Sequence, residues 1–488
     1  MAHVTFPFPF PEHLELLIPE MIIAIMAMVL LMADLFIAKD KKQWLAYATI
    51  LVCIVTAVAV VQVTTGLSAT SFYGYFVMDP FASFAKLLIL LTTVFGVILS
   101  LDYMKDEENM GEYYCLMLFA VLGMMFLVSS NNFVTMYLGL ELMALSIYVL
   151  VGYQRHVLRS SEAALKYFIL GSLASGMLLY GITFLYGVTT SFDFSTIGHA
   201  LAAANASAHG VVMLGLVFVL AGMAFKVSIA PFHMWTPDTY EGAPTPVTAF
   251  ISVAPKVAGF VIFMRILHDA FPEIQVDYTN ILVVLAAITI VVGNVAAIAQ
   301  RNIKRMMAYS TVGHVGFVLL GLIAANEAGY TGALVYLTVY LFMNMGVFAI
   351  VILMRRDGMD GELLNDFAGL SKVRPGYALA MGLLLFSLAG IPFLGGFWAK
   401  YAVLLPLIGA GHLYLALLAI VFSVVGAFYY LRVVKYMYFD DARVTFNFIE
   451  SPAMKAVVIV STLAVVAIGL YPDPVMAICK QALVGFIE

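Results

Sequence analysis

The sequence predicts an all-α polytopic membrane protein of about fourteen transmembrane helices, and two observations carry that prediction. The first is composition. Of 488 residues, 63% are hydrophobic and 11% charged, with a mean hydropathy of +1.02, against roughly 25% charged residues in an average soluble domain. A water-facing surface cannot be assembled from such a chain. The second is the recurrence of long apolar runs. A helix needs about 20 apolar residues to cross a hydrocarbon core of about 30 Å, and runs of that length follow one another along the whole chain. The net charge of −5 decides little.

Taken in order, the runs place spans at 14–38, 44–64, 78–101, 114–130, 132–153, 162–188, 210–231, 246–268, 278–300, 306–325, 328–354, 376–409, 411–439 and 453–478. Ahead of the first run, MAHVTFPFPFPEH has no Lys or Arg. It lacks the basic region of a cleaved signal peptide and reads as mature chain. The loops test the span count, because Lys and Arg collect on the cytoplasmic side. Loops after odd-numbered spans, with the span ends beside them, hold Lys39, Lys41 and Lys42; Lys105; Arg155 and Arg159; none after the seventh span; Arg301, Lys304 and Arg305; Arg355, Arg356, Lys372 and Arg374; and Arg432, Lys435, Arg443 and Lys455. Loops after even-numbered spans hold none. One missed helix would exchange odd and even from that point on, so the alternation supports the count and puts both termini on the side away from the cytoplasm. The longest polar stretch is residues 355–375, too short for a soluble domain.

The remaining charges carry the functional signal. Lys226, Lys256 and Lys400 lie well inside their spans or next to a break, and Glu141 sits within YLGLELMALSIYV. A charge near the bilayer centre costs about 2.5 to 3.5 kcal/mol on insertion scales. A structural ion pair between Glu141 and Lys226 accounts for two of them and leaves Lys256 and Lys400 without an acid at similar depth. An ion path accounts for all four. Burial can bring a lysine from a pKa of about 10.4 toward neutrality, and a carboxylate nearby opposes that change. Altering the distance from Glu141 to Lys226 therefore switches the lysine between keeping and releasing a proton. Lysine cannot coordinate Na⁺, so the proton is the better cargo.

In AFKVSIAPFHMWTPD, Pro231 and Pro237 break the helix just past Lys226. Unwound backbone at membrane depth is tolerated only inside protein or beside a water-filled cavity. The pattern recurs in SLAGIPFLGGFWAKY, where Pro392, Gly395 and Gly396 interrupt the helix ahead of Lys400. The two breaks fall in spans 7 and 12, which run in opposite directions, the mark of an inverted repeat with sites near the midplane. Lys226 precedes its proline, whereas Lys400 follows its own. For Lys166, four residues after Glu162, a surface helix pair and a proton relay both fit. For His314, a hydrogen-bonded core histidine and a relay both fit. Asp34, Lys86 and Arg265 lie near span ends and read as snorkelling, and His233 follows the first break.

Cys53, Cys115 and Cys479 are dispersed in apolar segments without CxxC spacing, so neither a disulfide framework nor an iron–sulfur cluster is supported. There is no GxGxxG, no GxxxxGK[ST] and no histidine pair suited to haem. The chain has nothing with which to drive a pump alone. It exchanges one gradient for another or is driven by partners.

The stretches LGLELMALSIYVL, KVSIAPFHMWTPDTYEGAPTPVTAFIS, VAPKVAGF, RNIKRMMAYSTVGHVGF and GIPFLGGFWAK closely resemble the antiporter-like subunits of respiratory complex I and of the multisubunit Na⁺/H⁺ antiporters, along essentially the whole chain. Lysine at 400, where subunit M of complex I has glutamate, and an end at 488 without the long lateral helix of subunit L point to a third member of that set. The resemblance implies two inverted five-helix repeats. It divides the chain into a three-helix segment (1–113), a first repeat of spans 4–8 (114–268), a second of spans 9–13 (278–439) and a last span (440–488). It implies Glu141 and Lys226 as a coupled pair with Lys166 beside them, Lys256 at the centre and Lys400 toward the exit. It also implies a translocase, in which this chain passes protons from cytoplasm to periplasm while quinone reduction in partners supplies the energy. NADH, FMN, iron–sulfur clusters and quinone are then expected in those partners and no cofactor here. Subunits M, K, J and A are expected nearby, in a bacterial inner membrane, with no nucleic acid. The alternative is a subunit of a cation/proton antiporter without a redox partner.

Overall fold

The computed structural model describes residues 13–38, 41–64, 68–105, 107, 109–202, 208–355, 361–441 and 451–487. The N-terminal stretch before His13 and the loop residues Lys39, Arg356 and Arg443 lie outside them. The helices are α1 (Ile18–Asp34), α2 (Gln43–Val63), α3 (Pro80–Tyr103), α4 (Met110–Val128), α5 (Phe133–Val151), α6 (Leu158–Thr189), α7 (Phe194–Ala202), α8 (His209–Val227), α9 (Trp235–Gly242), α10 (Thr245–Arg265), α11 (Gln275–Ile298), α12 (Ile303–Ala324), α13 (Glu327–Leu353), α14 (Leu370–Val373), α15 (Pro375–Ala389), α16 (Gly395–Gly409), α17 (Leu413–Phe439), α18 (Pro452–Leu470) and α19 (Asp473–Gln481). Among the described residues, thirteen helices are long and apolar enough to cross a membrane. The remaining expected span, the twelfth, is divided into α15 and α16, so the chain is an all-α polytopic membrane protein broken around Pro231 and Pro392; Pro237, expected to share in the first break, lies instead in the opening turn of α9, where a proline's missing N–H costs nothing.

Spans 7 and 12 break for local reasons. α8 stops after Val227 with Ser228 in the left-handed region at φ 72°, and α9 resumes at Trp235. The turn between them is held by the Ala230 N–H donating to Thr289 Oγ1 on α11 at 3.0 Å. α15 ends at Gly390, φ 89°, and α16 begins at Gly395. A Cβ at Gly396 would lie 1.8 Å from the Ser387 carbonyl oxygen, so only glycine lets the two half-helices meet.

Two further elements were not legible in the apolar runs: the hairpin β1 (Ala69–Ser71) and β2 (Phe76–Met78), and the short α7. The last span is also shorter than the expected 453–478. α18 ends at Leu470, and Pro472 and Pro474 open the separate α19.

A repeat at an offset of 170 residues appears in backbone pairing. Phe133 N–H donates to Phe192 O (2.9 Å) and Phe194 N–H to Asn131 O (3.2 Å); 170 residues later Ile303 N–H donates to Glu362 O (2.7 Å) and Leu364 N–H to Arg301 O (3.0 Å). The helices that follow are capped alike, by the side chains of Asn132 on α5 and Asn302 on α12. Close approach repeats as well. A Cβ at Gly123 would meet Met143 N at 2.4 Å, and one at Gly293 would meet Gly313 N at 2.3 Å. Small residues at such crossings let membrane helices approach closely.

The core runs through α10, α12 and α13, whose most apolar windows are 100%, 94% and 89% buried. Ends of odd-numbered loops meet on one face: Arg159 pairs with Glu241 (2.6 Å) and Glu362 (3.3 Å), and Arg305 with Glu241 (2.9 Å). On the opposite face Lys480 pairs with Glu327 at 3.3 Å.

Candidate functional site

α5, α6 and α8 bring the first pair together. Lys226 Nζ, in the last turn of α8, lies 3.9 Å from Glu141 Oε1 on α5. The direct contact is long because a third residue stands between them. Ser175 on α6 accepts a hydrogen bond from Lys226 Nζ at 3.3 Å and donates one to Glu141 Oε1. Acid and base are therefore joined through a hydroxyl, the type of group that can take a proton on one side while giving one up on the other. The side chain of Lys226 is buried, whereas that of Glu141 is partly exposed.

The break positions the second lysine. Ser228, held in its left-handed conformation two residues after Lys226, accepts from Lys256 Nζ of α10 at 2.8 Å and from Thr236 Oγ1 of α9 at 2.8 Å. Lys256 also lies 4.6 Å from the centre of the Trp235 ring, a cation–π contact that strengthens when water is excluded. Among the described residues no carboxylate lies within 4.0 Å of Lys256 or Lys400. Both lysines are held by uncharged groups, Lys256 by the Ser228 hydroxyl and the face of Trp235 and Lys400 by a hydroxyl, a backbone carbonyl and the face of Phe317.

Lys400 on α16 donates to Ala389 O, the carbonyl freed at the end of α15, and to Ser423 Oγ on α17, each at 2.7 Å. His314 on α12 sits between two tyrosines, with Nδ1 2.6 Å from Tyr336 Oη and Nε2 2.9 Å from Tyr430 Oη, and Tyr430 in turn lies 2.5 Å from Ser310 Oγ. His314, Lys400, Ser310, Ser423 and Tyr430 line one cavity of about 10 Å³, close to the room a single water needs. The ring of Tyr340, whose hydroxyl donates to Thr311 at 2.8 Å, packs 5.3 Å from that of His314.

Lys166 lies elsewhere. It is half-exposed and pairs with Glu162 (2.8 Å) and Asp238 (3.0 Å), and Asp238 also pairs with Arg305 at 2.6 Å. With Arg159 and Glu241 these side chains line a charged recess of about 230 Å³. The recess opens on the face where the basic loops gather. Among the described residues Lys166 has no hydrogen bond to Glu141 or Lys226. His233 occupies the turn between α8 and α9, against Tyr309.

Lys86 and Arg265 do not snorkel. Lys86 is fully buried and 2.6 Å from Glu20 of α1, and Arg265 is 2.8 Å from Asp79, the N-cap of α3. Their acids lie on other elements, which is why span ends alone suggested escape to water. Snorkelling is not available to a side chain whose partner is inside. Asp34 pairs with Lys42 at 3.0 Å, close to a helix end.

Sequence reasoning missed the hydroxyls. Ser175, Ser228 and Ser423 each receive one of the three deep lysines. Ser228, adjacent to the break in KVSIAP, carried a usable signal; Ser175 and Ser423 carried none, since serine inside a membrane helix commonly bonds its own backbone.

Comparison with known proteins gives a consistent picture. A family described as the transmembrane region of NADH:quinone oxidoreductase/Mrp antiporter matches residues 130–429. NADH-quinone oxidoreductase subunit N of Paramagnetospirillum magneticum is 45% identical over 95% of this chain and 96% of that protein. The protein of the same name from Acidithiobacillus ferrooxidans is 44% identical over 98% and 99%. A chain of the respiratory complex I of Thermus thermophilus, solved with bound aureothin, superposes with a TM-score of 0.81 at 31% identity, covering 94% of this chain and 99% of that one. A chain of the Mrp complex of Dietzia, at 20% identity and a TM-score of 0.83, shares the fold.

Proposed function

Because the chain belongs to the family of antiporter-like membrane subunits shared by NADH:quinone oxidoreductase and Mrp antiporters, we propose that Glu141, Lys226, Lys256, His314 and Lys400 form its proton path. The path runs from cytoplasm to periplasm and is driven by quinone reduction in partner subunits. The chain is a proton-translocating membrane-arm subunit of NADH-quinone oxidoreductase, and among the described residues no group of His, Cys, Asp and Glu is placed to hold a metal. NADH, FMN, iron–sulfur clusters and quinone belong to its partners. Subunits M, K, J and A are its neighbours in a bacterial inner membrane, with both termini periplasmic. The two repeats, 114–268 and 278–439, each carry one broken helix.

The observation that carries this reading is the hydrogen-bonded file from Glu141 through Ser175 to Lys226, and from Ser228, two residues on, to Lys256. A proton leaving the Lys226 ammonium for Ser175 releases the serine's own proton to Glu141. The pair becomes neutral, and the reverse step restores both charges. On the cytoplasmic face, the recess around Lys166, Asp238 and Arg305 supplies protons. Lys166 acts there as a surface donor and not as a member of the buried pair. At the far end the Lys400 ammonium gives a proton to the Ser423 hydroxyl, which releases its own to a water in the cavity shared with His314.

The test is to purify the tagged chain from its native membrane and measure what accompanies it. NADH:quinone oxidoreductase activity, with proton uptake into reconstituted vesicles on NADH addition, is expected. Co-purification of small cation-antiporter subunits, with Na⁺/H⁺ exchange and no NADH oxidation, would identify the antiporter instead.

A further inference from the structure

The turn between α8 and α9 leaves one backbone donor over. Ser228 N–H donates to Phe225 O at 3.2 Å and Ile229 N–H to Ala224 O at 2.8 Å, so both close onto the end of α8, and Pro231 has no N–H to place. The N–H of Ala230 remains, on a fully buried residue. A buried N–H without a partner is costly. Its partner comes from the other repeat: Thr289, buried on α11, gives its own proton to Leu285 O at 2.5 Å, and its oxygen accepts the Ala230 N–H at 3.0 Å. The second break has no such need. Ile391, the residue before Pro392, donates to Phe386 O of its own α15 at 3.0 Å. The bond across the repeats is therefore particular to the break that carries Ser228 and not a requirement of broken helices. Two residues before Ala230, Ser228 accepts from Lys256 Nζ, and five residues after Thr289, Asn294 lines the cavity around Lys400.

We propose that Thr289 is a positioning residue of the proton path, holding Ala230 so that the Ser228 hydroxyl stays within reach of Lys256. The proposal rests on the reading of Ser228 and Lys256 as members of that path. The Thr289 hydroxyl is spent on Leu285 O and the Ala230 N–H, so it acts through the turn and carries no proton itself. Valine at 289 keeps the shape of the side chain and removes the acceptor, which strands a buried donor. The turn recovers a partner for that N–H only by moving, and Ser228 moves with it. The bond from Lys256 Nζ to Ser228 Oγ, 2.8 Å long, weakens steeply as its atoms part or tilt.

The test compares Thr289→Val, Thr289→Ser, Ser228→Ala and the double variant Ser228→Ala, Thr289→Val in the purified complex, reconstituted in vesicles with a pH-sensitive dye. Native electrophoresis reports assembly. Thr289→Val should lower NADH-driven proton uptake about fivefold, the scale of one hydrogen bond, and Thr289→Ser, which keeps the hydroxyl, should restore it. Because Thr289 acts through Ser228, the double variant should lose no more than Ser228→Ala alone, whereas independent structural damage would multiply the two losses. If Thr289→Val fails to assemble, Thr289→Cys takes its place, since a thiol is a weak acceptor, and the same comparison is made with it. A loss in Ser228→Ala with none at position 289, a serine that does not restore uptake, or a double variant worse than Ser228→Ala by the full factor of the position 289 change would overturn the role of Thr289 and leave the path standing. Wild-type uptake in Ser228→Ala would overturn the reading of the path through Ser228 and this role with it.

Discussion

Ser175 stands between a carboxylate and an ammonium 3.9 Å apart, and its hydroxyl is the only atom removed in Ser175→Ala. The complex carrying Ser175→Ala should assemble in normal amount and oxidise NADH with proton uptake lowered about tenfold, equivalent to about 1.4 kcal/mol on a barrier. Threonine at 175 should recover most of the loss. Unchanged uptake with alanine would take the hydroxyl out of the path. Lys256 is tested differently. Arginine there keeps the charge, yet its guanidinium stays protonated in any environment a protein offers. Lys256→Arg should therefore stop turnover of the path, read as quinone reduction and vesicle acidification, and wild-type rates would leave Lys256 as a fixed charge over Trp235. At this scale the sequence was informative about charge and silent about its partners. Glu141, Lys226, Lys256 and Lys400 stand out because each interrupts an apolar run. Their serine partners do not, and the acids that bury Lys86 and Arg265 lie more than sixty residues away along the chain.

Among elements, the two broken helices do unequal work despite their shared form. The repeat aligns residues 170 apart, which sets Thr311 where the first repeat has Glu141; the second half holds its lysine with Ser423 and a backbone carbonyl in place of an acid. Gly396 is the position where this element is least forgiving. A methyl group there would overlap the Ser387 carbonyl, and overpacking of this kind costs about 1 to 3 kcal/mol. Gly396→Ala should separate α15 from α16, move Ala389 O away from Lys400, and lower both assembled complex and pumping. Native electrophoresis and vesicle acidification report the two effects separately, and a variant normal in both would mean the half-helices need not touch. Prolines and glycines made these breaks legible in advance. The hairpin at 69–78, α7 and the split between α18 and α19 were not, because short segments leave no long apolar signature.

For the whole molecule the alternation of basic loops makes a prediction about sidedness. The three native cysteines are buried, so introduced ones report without background. Lys372→Cys should react with an impermeant maleimide only from the cytoplasmic side and Ala410→Cys only from the opposite side. The reverse pattern would invert the direction assigned to the path. The account stands most directly on whether Glu141 and Lys226 move protons or merely clamp three helices. Removing one member of a buried pair strands the other charge and costs about 3 to 5 kcal/mol, and removing both relieves it. The measurement is proton uptake per NADH oxidised, with a pH-sensitive dye in vesicles holding the Glu141→Gln, Lys226→Met complex. The account predicts an assembled complex with uptake well below the wild-type ratio; assembly with the wild-type ratio would contradict it and leave the pair a structural clamp.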